Sequence, residues 1–148
     1  MKITMLALTI ACGVAVVGCG MIPPSESEAR QVLQDDLGEK IVVLEFEKTD
    51  GQSIEVFGVK GYNFKFEGKV RVDSTYMDAL KPYLSNDDPQ KGVQADKYFS
   101  QISMVYDQIS GRHWISDKAG TITPVNGTIS FSRSENGWTG HVATAMNP

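Results

Sequence analysis

The sequence predicts an α+β domain in which an N-terminal helix packs on a curved antiparallel sheet, with a helical excursion between the third and fourth strands. Three patterns support this fold class. Residues 26–37 form a capped amphipathic helix, residues 62–72 alternate between apolar and polar side chains, and residues 95–109 carry apolar side chains at helical spacing. Residues 26–148 are therefore expected to form a single globular domain.

The first helix has both a start and a stop signal. Ser25 followed three residues later by Glu28 is a capping box, and Gly38 is a typical residue just beyond a helix end. The apolar residues between these signals fall on one face of the helix: Ala29, Val32, Leu33 and Leu37. Such a stripe indicates a helix that packs on a sheet.

Three strands are expected to follow this helix. Residues 41–48 and 53–59 suit strands, and the turn residues 49–52 between them predict a hairpin. The third strand has an apolar face, which consists of Tyr62, Phe64, Phe66, Val70 and Val72, and a polar face of Asn63, Lys65, Glu67, Lys69 and Arg71. One face of the sheet is therefore expected to be buried and the other solvated.

Helical signals dominate residues 73–119. A helical turn is predicted at residues 76–80, a polar loop at residues 85–90, and a longer helix after that loop. The apolar residues of the longer helix recur at helical spacing: Ala95, Phe99, Ile102, Tyr106 and Ile109. The chain then returns to strands at residues 120–124, 128–133 and about 138–143, with a turn at residues 135–137.

Residues 1–18 have the organisation of an export signal. Lys2 supplies the positive start, residues 3–17 form the apolar middle, and Gly18 is the small residue at the cleavage site. The apolar stretch, at about 15 residues, is shorter than the roughly 20 that a helix needs to cross a bilayer. The segment is therefore interpreted as a cleaved leader.

The end of this leader resembles the lipobox of bacterial lipoproteins, with Val16, Val17, Gly18 and Cys19 in the four positions. Val16 stands where leucine is commoner. The resemblance implies that the Cys19 sulfur receives a diacylglyceryl group, that cleavage occurs before Cys19, and that the new amino group is acylated. Cys12 is the rival acceptor but lacks an aliphatic residue three positions before it. An ordinary secretory leader with an incidental cysteine is the alternative.

Lipidation at Cys19 would leave residues 19–25 as a lipidated cysteine and a short tether, stiffened by Pro23 and Pro24. With Cys12 removed in the leader, the mature domain contains no free thiol. Its stability must then come from a packed core, for which about 130 residues suffice.

The residue after the cysteine predicts the destination of such a lipoprotein. In lipoproteins of the enteric Gram-negative type, an aspartate at this position favours the inner membrane. Gly20 therefore favours the outer membrane. In a Gram-positive source, the expected location is the outer face of the plasma membrane. The net charge of −4 argues against a nucleic-acid partner. The expected partners are the membrane, through the N-terminal lipid, and a protein of the envelope.

The element order of residues 25–72 and 120–140 also resembles small bacterial lipoproteins of uncharacterised function that have cystatin-like or nuclear-transport-factor-like α+β domains. The resemblance rests on strand and turn patterns at residues 57–62, 127–131 and 135–138. It implies a fold and supplies no catalytic residues.

Residue patterns that support catalysis or metal binding were not found. His113 and His141 lack metal-ligand spacing, and either would need to meet a carboxylate such as Asp107 or Asp117. The acidic loop at residues 86–88 lacks the remaining positions of a calcium loop, and no serine lies in a Gly-x-Ser-x-Gly sequence. The sequence therefore predicts a non-enzymatic protein with no cofactor and no metal.

Aromatic side chains are the remaining indication of a binding function. They either line a ligand pocket on the concave face of the sheet or fill the core beneath the helices. Trp114, if exposed, would suit a protein partner. The candidate binding surface comprises Trp114, Arg112, Tyr62 and Trp138.

The leading hypothesis is a non-catalytic interaction module of the cell envelope that faces the periplasm. One alternative is a small-ligand carrier or enzyme with an apolar pocket on the concave face. The other is an inhibitor or immunity protein that uses a protruding loop at residues 85–94.

Overall fold

The computed structural model describes residues 22–84 and 89–144. The leader, Cys12, Cys19 and residues 85–88 of the predicted polar loop lie outside the described residues. The elements in chain order are α1 (Glu26–Leu37), β1 (Ile41–Val56), β2 (Val59–Val72), α2 (Tyr76–Leu84), α3 (Pro89–Ser110), a 3₁₀ turn (Trp114–Ser116), β3 (Ile122–Ser134) and β4 (Gly137–Val142). The described strands form one antiparallel sheet in the order β1-β2-β3-β4. The α+β class is confirmed.

Helix α1 has the predicted bounds and the predicted cap. The backbone N–H of Glu28 donates to the Ser25 hydroxyl at 3.2 Å, and the Glu28 carboxylate accepts from the Ser25 backbone N–H at 2.7 Å. This pair satisfies two of the backbone N–H groups at the helix start that have no partner within the helix. The buried face consists of Ala29, Leu33 and Leu37.

Polar side chains of α1 bind both edges of the sheet. The Gln34 side chain donates to the Ile41 carbonyl at 3.0 Å and accepts from the Val43 N–H at 2.9 Å, both on β1. The Asp36 carboxylate accepts from the Val142 N–H at 2.7 Å, on β4. Because β1 and β4 are the two edges of the described sheet, α1 lies across its face and is fastened to both edges.

The predicted hairpin turn at residues 49–52 is wrong. Strand β1 continues through this segment, and the register shift between Lys48 and Asp50 marks a β-bulge that absorbs the extra residue, Thr49. Gly51 lies directly beneath the Tyr62 side chain, where a Cβ atom would overlap the Tyr62 hydroxyl. The glycine is therefore required by close packing within a strand rather than by a turn.

The chain reverses at Phe57 and Gly58 instead, both with positive φ (49° and 78°), as in the turn type that suits a two-residue hairpin. Residues 41–59 therefore contribute one long strand and a turn, not two strands. As a result, α2 and α3 lie between the second and third strands, and the predicted position between the third and fourth is wrong. The two strands predicted at residues 120–124 and 128–133 are likewise one strand, β3, which begins at Ile122.

The core lies between one face of the sheet and helices α1 and α3. The predicted alternation of β2 is confirmed, since its apolar face is buried and the polar face carries partly or fully exposed residues. Facing residues of β3 and α3 complete the core: Val125, Ile129, Phe131, Ala95, Phe99, Ile102, Tyr106 and Ile109. The other face of the sheet carries exposed ion pairs, Lys69 with Glu45 and Lys65 with Asp50. Within the described residues, no helix combines the length and hydropathy needed to cross a bilayer.

Candidate functional site

Trp114 lies in the core, so it is not available as an exposed contact residue. Its side chain is 0% exposed, and the indole N–H donates to the Ser74 carbonyl at 2.9 Å. The ring packs edge-on against Tyr76 and Phe99, with centroid distances of 5.3 and 6.1 Å. Trp114 therefore ties α2, α3 and the 3₁₀ turn together. We call residues 73–119 the helical insertion.

Arg112 forms an ion pair with Asp117 within the helical insertion. Its guanidinium binds the Asp117 carboxylate through Nε at 3.0 Å and through Nη2, and the Tyr106 hydroxyl donates to the same carboxylate. Asp117 is buried, and the Arg112 hydrogen bonds hold the pKa of its carboxyl below the usual range. Burial first, and then the Asp117 carboxylate, raises the pKa of Tyr106, so its hydroxyl stays protonated and acts as a donor.

Tyr62 and Trp138 lie on the sheet, away from the insertion. Tyr62 is buried, and its hydroxyl accepts from the Lys48 ammonium group at 2.9 Å. Trp138 is partly buried, and its indole N–H donates to the Ile22 carbonyl at 3.0 Å. The four predicted binding residues therefore do not form one surface. The aromatic residues of β2 fill the core instead of lining an open pocket.

A cleft of about 750 Å³ runs along one flank of α3. We call it the α3 cleft. Its lining residues come from α2, α3 and the 3₁₀ turn: Tyr76, Asp96, Ser100, Ser103, Met104, Asp107, Gln108 and Ile115. Asp96, Ser100, Ser103 and Asp107 follow one another at intervals of four, three and four residues, so they occupy one stripe of the helix.

The stripe that lines the α3 cleft runs beside the core stripe of the same helix. Each of its polar residues directly follows a core residue, as Asp96 follows Ala95 and Asp107 follows Tyr106. Packing of the core stripe on the sheet therefore fixes the side of α3 on which the polar stripe lies. This polar periodicity is the sequence signal for the cleft, and the spacing of the apolar residues alone does not reveal it.

Two carboxylates give the α3 cleft its electrostatic character. Asp96 accepts from the Tyr76 hydroxyl at 3.0 Å, and burial raises the pKa of Tyr76, which favours the neutral, donating form. Asp107 accepts from the Trp114 backbone N–H at 2.9 Å. Beside these acids, Met104 and Ile115 present apolar side chains that are 55% and 65% exposed. The cleft thus combines negative charge with apolar surface.

His113 meets one of the carboxylates considered from the sequence. Its Nδ1 atom lies 2.9 Å from Asp107 Oδ2, at the rim of the α3 cleft, with the imidazole largely exposed. His141 is exposed on β4, across from Ser130. Among residues 22–84 and 89–144, no three His, Cys, Asp or Glu side chains come together as a metal site would require.

A second cleft, of about 510 Å³, lies beside residues 45–47 of β1. It is lined by charged residues that include Glu45, Glu67 and Lys69. The side chains of the Lys69–Glu45 pair are 49% and 63% exposed, so water screens them strongly. The α3 cleft, with large apolar side chains beside its acids, is the better candidate for recognition.

Comparison with family models, with curated proteins and with solved structures gives no match for this chain. The fold and the two clefts therefore have to be interpreted from their own chemistry.

Proposed function

We propose that this protein is a bacterial lipoprotein that is anchored through Cys19 and binds a protein of the cell envelope through the α3 cleft. The lipobox resemblance of residues 16–19 supports the anchor, and Gly20 after the cysteine supports the outer-membrane location. The helix-on-sheet arrangement is compatible with the resemblance to cystatin-like or nuclear-transport-factor-like lipoprotein domains. The proposed activity is binding, without catalysis.

The observation that carries the binding proposal is the distribution of exposed apolar side chains. Within the described residues, most of the large ones lie on the helical insertion: Met77, Tyr83, Leu84, Val93, Tyr98, Met104 and Ile115. Two of them, Met104 and Ile115, lie together in the α3 cleft. Adjoining exposed apolar side chains are typical of an interaction site, whereas scattered single residues are not. The insertion packs on the sheet through the buried face of α3, and these exposed residues lie outside that face, so the packing of the strands does not require them.

The chemistry of the α3 cleft indicates what kind of segment would bind there. Asp96 and Asp107 attract a basic side chain, and Met104 and Ile115 offer contact to aliphatic groups. A partner segment with a lysine or arginine beside aliphatic residues satisfies both. Charge complementarity of this kind selects partners and accelerates association.

The alternative functions have less support from the geometry. A carrier with a pocket on the concave face needs a cavity among the aromatic residues of β2, but Tyr62, Phe64 and Phe66 are buried in the core. An inhibitor that uses residues 85–94 needs a protruding loop, but residues 89–94 form the first part of α3. Binding through the α3 cleft is therefore favoured over both alternatives.

Replacing Cys19 by Ala is expected to release the protein from membranes. Each methylene that an anchor buries contributes about 0.8 kcal/mol, so loss of the acyl chains removes nearly all of the membrane affinity. Fractionation of cells that express the full chain measures the effect, and Cys12→Ala is the matched control that should stay in the membrane fraction. A Cys19→Ala protein that remains membrane-bound would contradict the anchor.

Photo-crosslinking tests whether a partner protein contacts the α3 cleft. A benzophenone-bearing residue at Ile115 of the full-length protein, in its own envelope, is expected to give one discrete crosslinked product. The control position is Ile122, another isoleucine with similar exposure (65% and 56%), on the sheet face that the helices do not cover. Equal products from both positions would contradict binding at the α3 cleft.

Charge reversal in the cleft provides the second arm of this experiment. Asp96→Lys is expected to lower the yield of the Ile115 product about tenfold or more, since loss of about 1.4 kcal/mol in binding corresponds to a factor of ten. Glu67→Lys makes the same charge change on the exposed face of the sheet and should leave the yield unchanged. An unchanged yield for Asp96→Lys would show that the acids are not used.

A further inference from the structure

The tip of the β1–β2 hairpin is apolar and projects into solvent. Val56 and Val59 are about half exposed, and Phe57 is fully exposed. We call these three residues the apolar tip. The α3 cleft does not include them, and they add nothing to the core.

Phe57 occupies a backbone position that does not suit it. Its φ of 49° lies in the left-handed region, which costs a residue with a Cβ atom about 1–2 kcal/mol and which hairpin turns usually fill with Asn, Asp or Gly. A fully exposed ring gains no packing within the fold to offset that cost. A strained, exposed aromatic residue points to a contact outside the domain.

The chain that leads to Cys19 leaves the domain near this tip. The Trp138 indole holds the Ile22 carbonyl at 3.0 Å, and Pro24 is buried, so the chain is fastened to the domain from Ile22 onward. Trp138 pairs with Arg133 in the last rows of the sheet before the β3–β4 turn.

The register of the sheet places both hairpin turns at the same end. Gly61, two residues after the start of β2, pairs with Ser132, next to the Arg133–Trp138 row. Strands β1 and β2 therefore turn at the end of the sheet where Trp138 holds Ile22. Cys19 precedes Ile22 by three residues, which span at most about 11 Å. An anchor on Cys19 keeps this end of the sheet close to the bilayer.

We propose that Val56, Phe57 and Val59 insert into the same leaflet that holds the lipid on Cys19, so that the protein contacts the membrane at two points. This inference rests on the proposed anchor. Aromatic and aliphatic side chains are the groups that enter the interfacial region of a bilayer. The net charge beside the two turns is zero, since two acidic and two basic residues lie there: Glu55, Glu135, Lys60 and Arg133. Insertion should therefore not require anionic lipid.

Two contact points would also orient the domain. The helical insertion departs from and returns to the opposite end of the sheet, where the Gly120 N–H donates to the Val72 carbonyl at 2.7 Å. With the apolar tip in the bilayer, that end of the sheet points away from the membrane. The insertion then faces the aqueous compartment, where a partner can reach it.

Tryptophan quenching in vesicles tests the insertion. Mature lipidated protein with Phe57→Trp is reconstituted into phosphatidylcholine vesicles whose acyl chains carry bromine at a shallow position. Ile122→Trp is the matched control, because Ile122 is exposed and lies at the opposite end of the sheet, across from Arg71. Trp114 and Trp138 contribute equally to both variants. The expected result is severalfold stronger bromine quenching of the added tryptophan at position 57 than at position 122.

Vesicle flotation separates the two ways in which the proposal can fail. If both variants float with the vesicles and their quenching is equal, the insertion of the apolar tip is overturned while the anchor stands. If neither variant floats, the anchor is overturned, and the insertion that rests on it falls as well. Addition of phosphatidylglycerol should leave the quenching at position 57 unchanged, and a requirement for it would overturn insertion by apolar contact.

Discussion

Replacing Trp114 by Ala is expected to destabilise the domain by about 3–5 kcal/mol, the range for removal of a fully buried tryptophan. The ring joins α2, α3 and the 3₁₀ turn through its contacts with Tyr76 and Phe99. Its loss also leaves the Ser74 carbonyl without the indole donor. Because domains of this size are stable by only about 5–15 kcal/mol, the variant should lie close to unfolding.

Chemical denaturation measured by circular dichroism gives this free energy of unfolding directly. Ile115→Ala is the control, because Ile115 is the next residue and is 65% exposed, and it should change stability by no more than about 0.5 kcal/mol. Trp114→Phe keeps a ring but loses the hydrogen bond to Ser74, so an intermediate loss is expected. A Trp114→Ala protein as stable as Ile115→Ala would contradict the buried position of the indole.

Replacing Asp117 by Ala is expected to cost about 2–4 kcal/mol, since removal of one partner of a buried charged pair leaves the others unsatisfied. The Tyr106 hydroxyl is fully buried and would keep only a long contact, at 3.5 Å, to the Thr123 hydroxyl. Arg112 is half exposed, so water compensates its loss in part, and the expected cost lies below that of a fully buried pair. Asp117→Asn retains an oxygen acceptor for Tyr106 and should cost less.

The pH dependence gives an independent check on Asp117. Its pKa in the folded protein is lowered, chiefly by the hydrogen bonds from Arg112, relative to the usual carboxyl value of about 3.9. The stabilisation is therefore complete above that usual value and is lost as the pH falls through the lowered folded-state pKa. Urea unfolding of wild type and Asp117→Asn at pH 7 and about pH 3 should show a smaller difference at the lower pH. A difference that is the same at both would contradict a charged Asp117 in the folded state.

Trp114 and Asp117 also determine the shape of the α3 cleft. The peptide N–H of Trp114 is held by Asp107, and Asp117 is held by Arg112 and Tyr106, so the segment that carries Ile115 has fixed points on both sides. A rigid rim reduces the entropy that is lost on binding. Changes at Trp114 or Asp117 are thus expected to weaken binding through the fold. Asp96 is exposed, and Asp96→Lys leaves the Tyr76 hydroxyl with Ser100 as a partner at 3.2 Å, so this change is expected to act chiefly through the charge of the cleft.

Local patterns in the sequence were sufficient for several elements. Helix α1 follows from the Ser25–Glu28 cap and the apolar stripe, because helix ends depend on hydrogen bonds among near neighbours. The buried face of β2 follows from alternation, and the buried face of α3 from the spacing of Ala95 to Ile109. In each case the residues that decide the structure are a few positions apart. The leader and Cys19 are a further prediction from local residues, outside the described part of the chain.

Tertiary structure alone decided the position of the first hairpin, the burial of Trp114 and the location of the cleft. Asp50 and Gly51 have turn chemistry, but pairing along the whole of β2 and the Tyr62 ring above Gly51 keep the strand extended. Trp114 directly follows the polar residues Arg112 and His113, yet its indole donates to the Ser74 carbonyl, 40 positions away. Such contacts form between segments that are far apart in sequence. The spacing of residues within a short segment therefore does not predict them.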